Sequence, residues 1–293
     1  MAPSWRENKK LRTMNYKLRT KHGLTLTEMT VVIASIVLLA AIGLPAVRAF
    51  IHSFESESGT KSMISAAFAS ARAMAAEKQQ YVGIRFQKAY NRNASDPLDP
   101  LTAPQYMIFI IHDPAPQPNG TDLANGFRAI EGFKPIKLPD SVGVMDLRLR
   151  TKSDPADSGD IPIDDNAKID GPSEVRDTTT FSIIFSPSGK LVVHDVRVRN
   201  RNGYPDTSSN TSVSSDDVFN KKAQVNAGTG MFYQDDYSDL GLGQEYSRNS
   251  FIIYDTKEFT QAYKRGQAFS GYFYRLVPQA IYINPYTGTI ISE

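Results

Sequence analysis

An uncharged apolar run near the amino terminus is the feature that most constrains the fold of this chain. The run MTVVIASIVLLAAIGLPAV extends from Met29 to Val47, nineteen residues without a charge. Extended back to Leu24, it is 24 residues long with one charge, Glu28. A helix of that length reaches about 36 Å, enough to cross a hydrocarbon core of about 30 Å. The pattern predicts a membrane-spanning helix, because a cleaved secretory signal has a shorter apolar region of roughly 7–15 residues.

The charge of the chain is divided unevenly along its length. The 293 residues carry 33 Lys and Arg against 31 Asp and Glu, a net of +2. Residues 1–23 hold seven of these bases and one acid, whereas the remaining 270 residues carry 26 bases and 30 acids. A basic flank before an apolar run predicts a cytoplasmic amino terminus. The acidic remainder argues against a nucleic-acid-binding body, and the lack of cysteine excludes disulfide scaffolds, iron–sulfur clusters and thiolate zinc sites.

The single acid of the apolar segment requires a partner. Glu28 lies in the first turn or so of the predicted helix. A carboxylate costs about 2.5–3.5 kcal/mol at the centre of a bilayer and less near its edge. The positive end of the helix dipole offsets part of that cost. A charge in such a segment indicates a functional site whose partner is a cation.

The residues around Glu28 resemble a known processing signal. The segment KHGLTLTEM at 21–29, followed by the apolar run, is similar to the class III signal of type IV pilins and type II secretion pseudopilins. The resemblance implies that a prepilin peptidase cuts between Gly23 and Leu24 and methylates the new terminus at Leu24. Glu28 would then be the acid that pairs with the terminal amine of a neighbouring subunit during assembly. Pro45 would be the proline that kinks the family's helix.

Two positions depart from the family pattern, and the start of the chain has two readings. Leu24 stands where the family usually has phenylalanine, and Thr27 stands where an aliphatic residue is usual. Both changes leave the glycine, the acid and the proline in register. A start at Met14 would leave a ten-residue leader, MNYKLRTKHG, which is still basic. That leader is as compatible with the signal as the longer one.

Beyond the apolar run, the sequence predicts more helix and then strands. From Glu55 to about Gln80 there is no proline, and apolar residues recur at the spacing of one helix face. That stripe consists of Ile64, Phe68, Ala71 and Ala75. We therefore expect one long helix from Leu24 to about Gln79, with Pro45 as a kink. Alternating or apolar segments predict strands at 81–86, 105–111, 142–150, 180–185, 191–198, 250–254, 280–284 and 290–291.

This order predicts an α+β fold in which a long N-terminal helix, membrane-spanning in its first half, packs on an antiparallel β-sheet. The expected regions are a leader (1–23), a transmembrane or filament-core helix (24–50), its amphipathic continuation (51–80) and a periplasmic β-rich domain (81–293). Ser70-Ala71-Arg72, FSPSGK at 185–190 and NPYTGTI at 284–290 resemble segments of the H-type minor pseudopilins and FimT/FimU-type minor pilins. Four segments look like long insertions: 87–104, 112–135, 151–178 and 200–248.

Candidate sites for other chemistry are weak. The acidic segment 153–171 and the cluster Asp235, Asp236 and Asp239 could offer oxygen ligands to calcium, but the spacing of an EF-hand is not met. Solvated acidic loops are the favoured interpretation. Neither HExxH nor GxSxG occurs. We expect no enzyme activity, no cofactor and no metal site.

The resemblance implies a minor pseudopilin, a structural subunit of a type II secretion pseudopilus. The precursor would lie in the inner membrane with its domain in the periplasm and would then enter the pseudopilus or pilus. Its implied partners are the prepilin peptidase, other pilin or pseudopilin subunits, the inner-membrane assembly platform and membrane lipid, without nucleic acid. Two alternatives remain: a minor pilin of a type IV pilus for adhesion or DNA uptake, and a signal-anchored periplasmic binding protein or enzyme.

Overall fold

The computed structural model describes residues 25–39, 57–90, 99–114, 126–150, 161–164, 168–201, 218–234 and 245–291. The chain divides into two compact units, Met1–Phe50 and Ile51–Glu293. The described part of the first unit is a helix, α1, at residues 26–39. Every other described element belongs to the second unit.

The helices of the second unit are α2 (Glu57–Lys78), α3 (Pro172–Thr178), α4 (Lys222–Ala227), α5 (Thr256–Lys264), a π-helical turn (Ala268–Phe273), α6 (Tyr274–Leu276) and a 3₁₀ turn (Val277–Gln279). The strands are β1 (Val82–Lys88), β2 (Gln105–Asp113), β3 (Gly126–Ala129), β4 (Ile136–Lys137), β5 (Val142–Met145), β6 (Arg148–Leu149), β7 (Ile161–Pro162), β8 (Phe181–Phe185), β9 (Leu191–Val192), β10 (Asp195–Val196), β11 (Val198–Arg199), β12 (Phe219–Asn220), β13 (Phe232–Tyr233), β14 (Glu245–Tyr246), β15 (Ser250–Asp255), β16 (Ile281–Ile283) and β17 (Ile290–Ile291).

The predicted fold class, with one long N-terminal helix packed on an antiparallel sheet, is wrong. The described part of the first helix covers 26–39, and α2 belongs to the other compact unit. The structure is a mixed α/β fold whose main sheet curls into a half-barrel. The prediction joined two helical segments into one element, but a local period does not show whether two segments belong to one packed body. Pro45, the expected kink, lies outside the described residues.

The predicted transmembrane or filament-core segment 24–50 is described only at 25–39. Of the helices in the described ranges, none combines the length and the apolar composition that a bilayer span requires.

The main sheet has seven strands, in the order β11-β3-β2-β1-β8-β9, with β4 also paired to β2. Its central strand β1 runs antiparallel to both neighbours, so that Val82 faces Ile111 on one side and Phe185 on the other. The β11–β3 pair at the edge is parallel. A second, antiparallel sheet has the order β17-β16-β15-β5. The strands predicted at 81–86, 105–111, 180–185, 250–254, 280–284 and 290–291 are confirmed.

Helix α2 contributes the centre of the largest hydrophobic cluster. All four residues of the predicted stripe are buried: Ile64, Phe68, Ala71 and Ala75. The Phe68 ring meets the rings of Phe86, Phe185 and Phe251, with centroids 6.5, 5.9 and 6.0 Å apart. Phe86 and Phe185 lie in the main sheet and Phe251 lies in the second sheet. The stripe therefore joins the two sheets, and the prediction of an inward helix face is confirmed.

The segments that look like insertions contribute to the cores. Strands β1 and β2 place alternate residues on opposite faces, so that Phe109 joins the α2 cluster while Ile108 joins a second cluster. Phe127, Phe219 and Phe232, from the segments 112–135 and 200–248, complete that second cluster. Helix α3, from the segment 151–178, adds Val175 to a third cluster behind β5 and β15. Burial on both faces explains the continuous apolar run at 107–111.

Candidate functional site

Helix α1 begins with a capping box. The Thr25 backbone N–H donates to Glu28 Oε2 at 2.7 Å, and the Thr25 hydroxyl donates to the same oxygen at 2.9 Å. In return, the Glu28 N–H donates to Thr25 Oγ1 at 3.3 Å. This reciprocal pattern is typical of a Thr-x-x-Glu helix start. This capping role of Glu28 was not predicted, although the TLTE pattern at 25–28 indicates it. Gly23 and Leu24, the expected processing site, lie outside the described residues.

The surface of α1 is apolar on all sides. Every described residue of this helix is exposed, with Leu26 at 86% and Leu39 at 71%. The large apolar residues are Leu26, Met29, Val31, Val32, Ile33, Ile36, Val37, Leu38 and Leu39. A helix that packs on a single core has polar residues on its outer face. The composition of α1 instead suits an apolar environment around the whole helix.

Three segments that carry the family resemblance lie together in the second unit. Arg72 of α2 donates from Nε to the carbonyl oxygen of Gly189, in the turn after β8, at 3.2 Å. The Gly288 turn also packs against Arg72, since a Cβ at Gly288 would lie 2.6 Å from Arg72 Cδ. Both glycines have a positive φ, 75° for Gly189 and 61° for Gly288. The predicted turn at 186–189 is confirmed by the 2.8 Å bond from Gly189 N–H to the Ser186 carbonyl.

A network of charged side chains is buried in the second unit. Six charged side chains, which we call the buried ion network, lie between β1 and the later loops. They are Arg85, Asp146, Arg150, Asp177, Glu245 and Arg248, none more than 8% exposed. Three arginines against three acids leave the network balanced. It was missed at the sequence level, where the only signal was a charge at Arg85 inside an apolar strand.

Glu245 is the centre of this network. Its Oε2 accepts a hydrogen bond from Arg85 Nη1 at 2.7 Å and lies 3.7 Å from Arg150 Nη1. Its Oε1 accepts from the Ser182 hydroxyl at 2.8 Å. Burial would raise the pKa of Glu245, but the charges of Arg85 and Arg150, together with these hydrogen bonds, lower it below its usual value. Glu245 is therefore ionised at neutral pH.

The outer pairs of the network anchor the loops that follow β5 and β14. Arg150 Nε is paired with Asp177 Oδ1, and Asp177 Oδ2 also accepts from the Arg150 backbone N–H at 2.6 Å. Arg248 Nε is paired with Asp146 Oδ2, and its backbone N–H donates to the Ser182 carbonyl at 2.7 Å. Ser182 is fully buried, so that its hydroxyl is closed to a substrate. The network holds separate segments together rather than presenting reactive groups.

A cleft of about 430 Å³ lies elsewhere on the second unit. Lys88, at the end of β1, lines it together with residues of the turns at 99–104 and 138–143 and the first half of α5. Burial lowers the pKa of the Lys88 ammonium to about 8, although the Asp99 carboxylate acts in the opposite direction. The cleft therefore contains an amine that titrates near physiological pH.

Metal and histidine chemistry has little support in the described residues. They contain no group of three His, Cys, Asp or Glu residues that could hold a metal ion. The acidic segment 153–171 is described only at 161–164 and 168–171, and Asp235, Asp236 and Asp239 lie outside the described residues. His194 packs against the rings of Tyr81 and His112 at centroid distances of 4.8 and 5.3 Å.

Similarity to known proteins gives no further guide to the site. No protein-family model, no curated protein and no solved structure matches this chain.

Proposed function

We propose that this chain is a pilin-like subunit, a minor pseudopilin that a prepilin peptidase processes after Gly23. One observation carries the proposal: α1, which follows the Gly23–Leu24 junction directly, is apolar on all its faces and exposed along its length. A helix of that kind gains most when helices of other subunits, or lipid, surround it. The position of Glu28 near the start of α1 would also fix the register in which helices of neighbouring subunits pack.

Glu28 is suited to receive a new positive charge. Its carboxylate lies over the first residues of α1, where it accepts from the Thr25 N–H and hydroxyl. Cleavage after Gly23 would place an ammonium on Leu24, one residue before Thr25. In an apolar assembly, an unpaired charge is strongly penalised, whereas a pair formed between neighbouring subunits offsets that cost. Pairing between Glu28 and the Leu24 amine of another subunit would therefore favour one register.

The proposal also assigns a location and partners. The leader at 1–23 would stay on the cytoplasmic side, the precursor would be held at the inner membrane through residues 24–50, and the Ile51–Glu293 unit would lie in the periplasm. The basic leader before the apolar run supports this orientation. The partners would be the prepilin peptidase, other pseudopilin or pilin subunits, the assembly platform and membrane lipid.

Processing is tested by mass spectrometry of the N-terminus in strains with and without the prepilin peptidase. We expect N-methyl-Leu24 as the first residue only when the peptidase is present. A Gly23→Val variant should retain its leader in both strains, because the side chain enlarges the residue before the cut. An intact wild-type leader in both strains would refute the proposal.

Assembly is tested with variants that separate the charge of Glu28 from its capping role. Glu28→Ala removes both, whereas Glu28→Gln removes the charge and keeps a side chain that caps this position well. Thr25→Val is the matched control, because it removes a capping hydroxyl and leaves the charge. We expect all three to be cleaved, and only the two Glu28 variants to be lost from sheared filaments. Normal incorporation of Glu28→Gln would show that assembly needs only the capping role of Glu28, and it would contradict the proposed charge pair.

A further inference from the structure

The Lys88 cleft is built from three rigid pieces of the second unit. The turn at 99–104 is closed by the Ala103 N–H, which donates to the Asp99 carbonyl at 3.1 Å. The turn at 138–143 is tied to β2 by the Leu138 N–H, which donates to the Gln105 carbonyl at 2.9 Å. The N-terminus of α5 is capped by the Asp255 side chain. The walls are therefore fixed by backbone hydrogen bonds before any ligand enters.

Lys88 has a single hydrogen-bond partner at its ammonium. Its Nζ donates one hydrogen bond, to the Ala103 carbonyl at 3.2 Å. None of the described carboxylates forms an ion pair with it. Arg85 and Arg150, by contrast, each face a carboxylate. An ammonium with three donors and one partner has capacity for a further acceptor.

Three other polar side chains of the cleft are already engaged with partners of their own. The Asp140 carboxylate is already paired with Lys137 at 2.7 Å. The hydroxyl of Thr102 donates to Asp99, and the hydroxyl of Thr256 donates to the Asp140 carbonyl, at 2.9 and 2.8 Å. The side-chain nitrogens of Lys88, Lys257 and Gln261 remain as hydrogen-bond donors at the cleft. Lys257 and Gln261 are exposed. Since Lys137 offsets Asp140, the remaining charges are those of Lys88 and Lys257 against that of Asp99, a net of +1 that suits an anion.

The cleft also has an apolar lining. Carbon side chains are contributed by Leu101, Ala103, Pro104, Leu138, Pro139 and Val142. Cavities of roughly 300–1,000 Å³ with a few fixed polar groups are typical of small-molecule sites. A ligand that matches this lining has an apolar body and one negative end.

We propose that this cleft binds a small organic carboxylate, whose carboxylate accepts hydrogen bonds from Lys88 Nζ and whose apolar body lies against Leu138 and Pro139. Lys257 and Gln261 complete the polar end from the rim. The site is separate from α1, so it does not depend on the pilin-like assignment. A carboxylate in place would supply the ion pair that Lys88 otherwise lacks.

The charges that face Lys88 predict the pH dependence of binding. The pKa of Lys88 is lowered to about 8 by burial, with Asp99 opposing that shift. Asp99 acts on the ammonium from the first turn, and Asp140 and Lys257 are the other charged residues that line the cleft. A bound carboxylate favours the charged amine, so affinity should be highest below pH 8 and should decline as the pH rises above it.

The probe is 4-phenylbutyrate, titrated into the full-length protein by calorimetry and followed by backbone amide chemical shifts. Its alcohol analogue, 4-phenylbutanol, tests the charge, and its amine analogue, 4-phenylbutylamine, reverses it. We expect saturable binding of the carboxylate with shifts at Ala103 and Thr256. The alcohol should bind about tenfold more weakly or worse, because a hydrogen bond to a charged group is lost. Equal binding of all three compounds would mean nonspecific partition and would overturn the proposal.

Variants locate the site. Lys88→Met keeps the length of the side chain and removes the charge, and it should weaken 4-phenylbutyrate binding about tenfold or more. Lys264→Met, an exposed lysine in the last turn of α5, is the matched control and should bind as wild type does. Near-ultraviolet circular dichroism checks that both variants are folded. Unchanged affinity in a folded Lys88→Met protein would refute the proposal.

Discussion

Glu245 has no exposed surface, yet its carboxylate contacts side chains from three distant parts of the chain. Arg85 comes from β1, Ser182 from β8 and Arg150 from the loop after β6. A charge in such a place is tolerated only when its partners are in position, because desolvation costs several kcal/mol per ion. The network therefore depends on each of its members.

Replacing Glu245 should destabilise the second unit strongly. Glu245→Leu leaves Arg85 buried without its carboxylate, a change that costs about 3–5 kcal/mol. Glu131→Leu is the control, since Glu131 is 71% exposed and pairs with Arg201 at 3.1 Å. The control should cost less than about 1 kcal/mol. Urea unfolding followed by circular dichroism measures both, and similar losses for the two variants would contradict this reading.

The same residue should make stability depend on pH in the acid range. The folded-state pKa of Glu245 is lowered, so its contribution is present above the unfolded pKa of about 4.3 and is lost as the pH falls through the folded value. The difference in unfolding free energy between wild type and Glu245→Leu should therefore narrow below about pH 4. Urea titrations at several pH values test this. A constant difference down to pH 2 would argue against an ionised Glu245.

At the scale of elements, helix α2 depends on two turns that come close to it. The chain at 284–288 forms a turn in which Asn284 Oδ1 accepts from the backbone N–H groups of Tyr286 and Thr287, at 2.9 and 3.1 Å. Gly288 follows with φ 61° and packs against Arg72 and Phe185. Both its conformation and its surroundings require glycine.

Gly288→Ala should therefore cost more than a glycine-to-alanine change elsewhere. A Cβ at this position would lie 2.6 Å from Arg72 Cδ and 2.8 Å from Phe185 Cε1. Gly132→Ala is the matched control, because Gly132 has φ 81° and nothing within 4 Å of its Cβ position. We expect about 1 kcal/mol for Gly132→Ala from backbone strain, and about 1–3 kcal/mol more for Gly288→Ala from overpacking. Equal losses would show that Arg72 moves aside freely.

At the scale of the whole molecule, the hydrophobic clusters and the buried ion network all lie in the unit Ile51–Glu293. The first unit contributes α1, whose apolar residues are exposed and so add no buried core of their own. Folding of the second unit should not need the first. The two units thus differ in what stabilises them: internal packing in one and an external environment in the other.

Removal of residues 1–50 should leave a folded, soluble domain with an unchanged thermal midpoint. The reason is that the described core contacts of the second unit are internal to it. Differential scanning calorimetry of residues 51–293 against the full chain in mild detergent measures this. A domain without a cooperative transition would contradict the independence of the two units.

The elements that could be predicted from the sequence are those with a local hydrophobic pattern. A repeat of three and four identified the inward face of α2, alternation identified β1, and short apolar segments identified β8 and β15, because each pattern depends only on neighbouring residues. The prediction of one long helix failed because α2 belongs to another compact unit than α1, and local periodicity does not show whether two helical segments form one body. Short strands such as β11 and β12 carry too few residues for a period to show.

Contacts between residues that are distant in the sequence were determined only by the tertiary structure. The sequence shows Arg85 as a charge in an apolar strand, but its partner Glu245 is 160 residues away. The Lys88 cleft likewise combines the end of β1 with a turn at 138–143 and with α5. Local spacing determines which residues share a face, whereas the pairing of distant charges and the lining of a cleft depend on how sheets and loops pack, because folding brings together residues that no local pattern relates.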